Sequence, residues 1–339
     1  MKHIKLILTV FIGLTLAAQT YGQVGLSKLA QSTMNFLLVG TSPKASGMGE
    51  AFTTVGTGAE SMFYNPAGIV ETQKTFDITV DYTQWIADIK YLSSGVVYNM
   101  GNMGAVGLSF MTVDYGTIYA TRLDPSQISA SGNVVGYIDD GPMSNVGAYS
   151  IGLSYSKAIS TQFLIGGTMK LVGQNLGQNI FDDGSIHKND AKKLAFDAGI
   201  KYLTEWKHFS FGMSIRNFSS NIRREQADEQ LPLTFTMGGA ISISDFMDTA
   251  FGKDHNLIFA VDFVHSNSYS ERMNLGMEYK YLNMVALRAG YQTNRDVASW
   301  SAGVGVNTTI YDYDVEVNYS FSKMDIFDNV NRLSLNFAF

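Results

Sequence analysis

Cysteine is absent from this chain of 339 residues, so it has no disulfide and no thiolate metal site, and it tolerates an oxidising compartment. Charge is scarce as well: Asp, Glu, Lys and Arg make up 16% of residues, against roughly 25% in ordinary soluble domains. With hydrophobic residues at 45%, part of the surface must be apolar. Basic residues number 24 against 30 acidic ones and form no visible cluster, which excludes nucleic acid as a partner. Catalytic signatures are missing too. No GxSxG nucleophile turn, HExxH zinc pair or GxxxxGKS/T phosphate loop occurs, and His3, His187, His208, His255 and His265 are scattered. Asp139-Asp140-Gly141 and Asp182-Asp183-Gly184 read as turns, without the further spaced carboxylates a calcium site needs. The expectation is a non-enzyme with neither metal nor cofactor.

Long apolar runs are also lacking. The opening MKHIKLILTVFIGLTLAAQTYG has Lys2 and Lys5, an apolar stretch from Leu6 to Ala18, then small and polar residues, the pattern of a secretory signal peptide over residues 1–22. Its core is shorter than the roughly 20 residues a membrane helix needs, and no cysteine follows to receive a lipid. Further on, no segment approaches about 18 consecutive apolar residues, so spanning helices are excluded.

What the chain does have is alternation. Tyr313, Val315, Val317, Tyr319 and Phe321 fall on one side of a strand, and Asp314, Glu316, Asn318, Ser320 and Ser322 on the other. The same two-residue period appears in Phe76, Ile78, Val80 and Tyr82 against Asp77, Thr79 and Asp81, and in Val285, Leu287, Ala289 and Tyr291 against Ala286, Arg288, Gly290 and Gln292. About fourteen such runs, each roughly 9 to 11 residues, begin near Thr75, Tyr91, Gly104, Val146, Gln162, Lys193, Lys207, Pro232, Asn256, Glu271, Met284, Ala298, Asp312 and Asn331. That is the length of a tilted strand crossing a bilayer, and an even number of antiparallel strands closes without an edge. The reading is all-β: a 14-stranded antiparallel transmembrane β-barrel over residues 71–339, with outer-membrane lipid as its surroundings. A secreted sandwich or solenoid also alternates. Against it stand the full-sized apolar residues on nearly every strand and the aromatics near strand ends, Tyr82, Trp85, Tyr91, Tyr98, Tyr115, Tyr119, Trp206 and Tyr291, placed as interfacial girdles are.

With the first strand leaving the periplasm, the connections at 116–145, 175–192 and 219–230 face outside, and the even-numbered turns are short except 244–255, where a short helix is expected around 246–251. The lumenal charges Asp77, Asp81, Lys170, Asp197, Lys201, Arg216, Asp262, Glu278, Lys280, Arg288, Asp314 and Glu316 carry both signs, as pairing networks require. The last strand places Leu333, Leu335, Phe337 and Phe339 at alternate positions and ends on an aromatic. This ending resembles the signal read by barrel assembly machinery, which is therefore an expected partner.

Residues 23–70 do not alternate and are too apolar for a tail, so they read as a plug inside the barrel. Within it, residues 27–38 suit a short amphipathic helix, with Leu29, Met34, Leu37 and Leu38 partly on one side and Ser27 as N-cap. Gly40, Gly47 and Gly49 permit tight backbone geometry, residues 59–64 make a helical turn, and Asn65-Pro66 sets a rigid corner. The stretch GMGEAFTTVGTGAESMFYNPAGI resembles the hallmark of FadL-like outer-membrane barrels, especially their PorV/PorQ branch, in which an N-terminal hatch ends in an Asn-Pro-Ala-Gly corner before the first strand. Asn65, Pro66, Ala67 and Gly68 match that corner, and Gly47, Met48, Gly49, Ala51 and Phe52 match the small-residue run ahead of it. The resemblance implies a hatch or gating role for Gly47, Gly49, Asn65, Pro66, Ala67 and Gly68. It also implies a function, for which the PorV/PorQ branch gives the main expectation and the wider family the alternative. The PorV/PorQ branch implies type IX protein secretion, with secreted cargo proteins and other secretion components as partners. The wider family implies a channel for hydrophobic small molecules.

Overall fold

The computed structural model describes residues 31–339 apart from 144–145, 181–184, 207–208, 224–227, 245–253 and 296–298. The expected signal peptide, the start of the plug at 23–30, Asp182-Asp183-Gly184, His208 and the helix around 246–251 lie outside the described residues.

Two short helices, α1 (Pro43–Gly47) and α2 (Gly58–Ser61), precede the first strand, together with 3-10 turns at Asn35–Leu38 and Pro66–Glu71. Strands then follow in pairs: β1 (Phe76–Gln84), β2 (Lys90–Asn99), β3 (Ala105–Asp114), β4 (Tyr119–Ile128), β5 (Val134–Pro142), β6 (Gly147–Ala158), β7 (Phe163–Ile180), β8 (Ile186–Leu203) and β9 (Ser210–Phe218). The second half carries β10 (Ile222–Arg223), β11 (Asp228–Glu229), β12 (Thr234–Ser242), β13 (His255–Ser266), β14 (Arg272–Tyr281), β15 (Val285–Gln292), β16 (Trp300–Ile310), β17 (Tyr313–Ser322) and β18 (Val330–Ala338). Fourteen of these form one closed antiparallel barrel, in which β1 pairs with both β2 and β18. Closure satisfies the backbone groups that lipid cannot.

Most of the expected strand starts fall within a residue or two of the observed ones. The alternation is obeyed by burial: Thr79, Asp81 and Thr83 are buried, while Val80 and Tyr82 between them are exposed. Three differences have physical causes. The connection expected over 175–192 is mostly strand, because β7 continues to Ile180 and β8 starts at Ile186; beyond the bilayer both faces meet water, so pairing continues without apolar alternation. Connections 116–145 and 219–230 contain the hairpins β4–β5 and β10–β11, which stand apart from the barrel sheet. Among the expected girdle aromatics, Tyr91 falls on the inward phase of β2 and is buried in the lumen, with Trp85 and Tyr115 packed against the same cluster; Tyr119 sits on β4, off the wall. Tyr82, Tyr98 and Tyr291 do face outward.

The barrel has a short-turn end, with connections at 100–104, 159–162, 282–284 and 311–312, and a long-loop end carrying the hairpins. Phe339 closes the short-turn end, its ring 5.2 Å from that of Phe76 and 5.4 Å from that of Phe337. Leu333, Leu335 and Phe339 are exposed on the outer face, away from the lumen.

Candidate functional site

The lumen is filled by the chain that precedes β1. Its path is set by local chemistry. Ser42 caps α1 by accepting from the Ala45 N–H at 3.4 Å, Pro43 occupies the first turn, and Gly49 takes a left-handed φ of 62° that turns the chain out of the helix. The expected helix over 27–38 is only a 3-10 turn at Asn35–Leu38 within the described residues, because Met34 adopts φ 56° and stops any helix entering from the N-terminal side. The Asn65-Pro66 corner is a capped helix start. Asn65 Oδ1 accepts from the Ala67 N–H at 3.2 Å, while Nδ2 donates to the Thr53 carbonyl at 2.9 Å and, across to the wall, to the Ile200 carbonyl at 3.1 Å.

Small residues let plug and wall approach at backbone distance. A Cβ on Gly290 of β15 would collide with the backbone of Met48 and Gly49, and one on Gly166 of β7 with the backbone of Pro66 and Ala67. Gly47 faces Gly303 of β16, where a Cβ would come within 3.1 Å of the opposing Cα. Gly68 packs inside the plug against the Gly56 carbonyl, and Ala67 accepts through its carbonyl from Ser156 Oγ at 3.0 Å. Thus Gly47, Gly49, Asn65, Pro66 and Ala67 all lie where plug meets wall. The wall glycines are the half of this contact that sequence reasoning missed; their signal was glycine at mid-strand on the inward phase.

Ion pairs and charge-assisted hydrogen bonds hold the plug in place. Lys44 of α1 reaches Glu60 of α2 at 2.9 Å and Glu316 of β17 at 2.6 Å. Glu316 lies 3.5 Å from Arg288, which also pairs with Glu278 at 2.7 Å and donates to Asn318 at 2.8 Å. Lys201 of β8 pairs with Glu71 at the end of the plug. Arg332 of β18 donates to the Gly40 carbonyl at 2.9 Å and to Ser46 Oγ at 2.8 Å. Arg216 donates to the Phe63 carbonyl at 2.7 Å, and Asp262 accepts from the Phe52 and Thr53 N–H groups at 2.9 Å each. Lys170 and Asp197 pair within the wall at 2.7 Å, as do Lys280 and Glu278 at 3.1 Å, and Asp81 accepts from the hydroxyls of Thr79 and Ser93. Burial alone pushes the Lys44 ammonium down, but Glu60 and Glu316 together outweigh it and hold the group above its ordinary value. Burial raises the Glu71 carboxyl against the opposing pull of Lys201.

Toward the long-loop end the polar lumen gives way to an apolar layer. Inward-facing Tyr91, Met111, Val113, Ala148, Val172 and Ala195 come from five wall strands, and the space between them is filled by the plug's own Met34, Phe36 and Leu37. Nothing in the sequence marked this layer, because each strand contributes only one or two of its members. Three cavities along the plug measure about 40, 40 and 50 Å³. Binding benzene takes a cavity of roughly 150 Å³. A larger cavity of about 710 Å³ lies at the short-turn end, between the plug and β8, β9, β12 and β13. Among the described residues no three His, Asp or Glu side chains cluster as metal ligands, and Asp139 is engaged as a turn residue, accepting from the Gly141 N–H at 2.8 Å.

No protein-family model matches the chain, and no curated protein matches it. Solved structures do. The toluene transporter TbuX of Ralstonia pickettii is similar with a TM-score of 0.57 at 11% identity, over 89% of this chain and 98% of that one. The CymD monoaromatic hydrocarbon channel gives 0.55 at 13% identity, over 89% and 98%. The toluene transporter TodX of Pseudomonas putida gives 0.54 at 13%, over 88% and 96%. At these identities the shared property is the fold: the FadL-type closed barrel of 14 strands with an N-terminal plug.

Proposed function

We propose that this protein is an outer-membrane channel for hydrophobic small molecules, exported by its signal peptide, with short turns in the periplasm and long loops outside. The observation that carries this reading is the apolar layer at the long-loop end, an oily site in an otherwise polar lumen, occupied by Met34, Phe36 and Leu37 of the same chain. A molecule of similar chemistry fits where those side chains sit once they withdraw. The three cavities of about 40 to 50 Å³ between this layer and the middle of the docked plug are too small for such a molecule, so passage from the layer toward the larger cavity at the short-turn end requires the plug to shift. Gly47, Gly49 and the Asn65-Pro66-Ala67-Gly68 corner then act as the seat on which it pivots, and Leu333, Leu335, Phe337 and Phe339 as the insertion signal for barrel assembly machinery. That TbuX and TodX are toluene transporters and CymD a monoaromatic hydrocarbon channel supports this reading over the type IX secretion role implied by the PorV/PorQ resemblance.

Uptake tests the reading. Cells without hydrocarbon channels of their own are expected to take up labelled toluene faster when they express this chain, and Phe36→Ala, which thins the occupant of the apolar layer, is expected to raise the rate further. Uptake equal to the empty-vector control overturns the proposal.

A further inference from the structure

We infer that plug and wall together enclose a binding site for a small inorganic anion, of the size of chloride, toward the long-loop end of the lumen. Two of the small cavities along the plug, of about 40 and 50 Å³, adjoin each other: Leu38 and Glu50 of the plug line both, and so do Gln292 at the end of β15 and Arg295 in the connection that follows it. Among the described residues, four arginines stand around this pair of cavities, Arg216, Arg272, Arg295 and Arg332, against the single carboxylate of Glu50. The arginines seen from here are held by neutral groups. Arg332 donates to the Gly40 carbonyl and to the hydroxyls of Ser46 and Ser322, Arg216 donates to the Phe63 carbonyl, and Arg272 lies 3.6 Å from the ring centroid of Tyr269. Arg295 makes no hydrogen bond and no ion pair among the described residues. Donors are therefore left over, and they can be reached: Nη2 of Arg332, Nη2 of Arg216 and both Nη atoms of Arg295 are unbonded and keep accessible surface, whereas Nε of Arg216 and of Arg295 is sealed.

Charge and size define the ligand. A guanidinium group does not lose its proton in a protein, so the excess of cations around these cavities persists at any working pH. Water solvates that excess without neutralising it; an anion does both, and accepts from the leftover donors in charge-assisted hydrogen bonds. Room is limited. One water-sized sphere needs about 10–15 Å³, so each cavity holds only a few such spheres, enough for a halide and too little for a carboxylate carried on an aromatic or long apolar body. The site is thus distinct from any path for hydrophobic cargo. Its lining comes from both partners, the plug supplying Gly40, Ser46 and Tyr64 and the barrel Arg216, Arg295 and Arg332, so a bound anion stabilises the docked plug.

Chloride is the probe, titrated against the full protein in lipid nanodiscs, with gluconate, too large for either cavity, replacing it at constant ionic strength. Hydrogen exchange over 38–52 of the plug is expected to slow saturably, by about tenfold once chloride reaches about ten times its dissociation constant, because the docked state gains by one plus that ratio. Arg295→Gln lies outside the wall strands and leaves the barrel whole; in it most of the chloride effect is expected to disappear. Glu50→Gln removes the one carboxylate and is expected to bring the same slowing at lower chloride. Crystals grown in bromide are expected to show anomalous density beside Arg295. Exchange that ignores the replacement of chloride by gluconate overturns the inference, as does a chloride effect of equal size in Arg295→Gln, a need for more chloride in Glu50→Gln, or the absence of bromide beside Arg295. Toluene uptake stands or falls separately, because anion binding is read without transport.

Discussion

Lys44 and Glu316 meet at 2.6 Å across the boundary between plug and barrel, and the same ammonium lies 2.9 Å from Glu60 within the plug. One side chain therefore ties α1 to α2 and both to β17. Removing it leaves two carboxylates facing each other in a poorly hydrated lumen. Breaking a buried pair in this way costs about 3 kcal/mol, the low end of the range, since Lys44 and Glu316 keep about a fifth of their surface exposed. Lys44→Met is expected to loosen the plug without unfolding the barrel. Planar-bilayer recordings are expected to show more frequent and longer openings than wild type, and unchanged recordings contradict the role assigned to this lysine.

The pH dependence follows from the same residue. Because Lys44 is held above its ordinary 10.5, the docked plug binds the proton more tightly than a released one does. This stabilisation is complete below about pH 10 and is lost as pH rises through and past the ordinary lysine value. Conductance is expected to stay at its neutral level up to about pH 10, then to rise. In Lys44→Met the alkaline rise is expected to vanish.

Gly290 tests close approach. Valine suits a strand and faces no lipid here, so Gly290→Val is compatible with the wall, but its Cβ needs the space held by Met48 and Gly49. The expected result is a barrel that still shows heat-modifiable migration on gels, with faster hydrogen exchange over 43–52 than in wild type. Unchanged exchange contradicts the contact.

The wall was legible in the sequence because lipid outside and water inside impose a strict two-residue period, visible in runs such as 313–322. Where that constraint ends, so did the reading: β7 and β8 continue past the bilayer with no apolar face, and Tyr91 looks like a girdle residue until its phase in β2 is known. The corner at Asn65-Pro66 was readable since capping is local. The pairs Lys44 to Glu316 and Arg332 to Gly40 were not, since their partners stand 272 and 292 positions apart in the chain.

The central claim is that passage requires the plug to leave its seat. Ser46 Oγ of α1 lies 3.0 Å from Ser322 Oγ of β17, and the chain has no cysteine of its own, so Ser46→Cys/Ser322→Cys places a single reducible tether across the boundary. Toluene uptake by cells carrying this variant is the most direct measurement. The account predicts that uptake falls to the empty-vector level when the pair is oxidised and returns on adding a reductant, while each single variant behaves as wild type. Uptake that continues at the wild-type rate with the tether verifiably formed contradicts it.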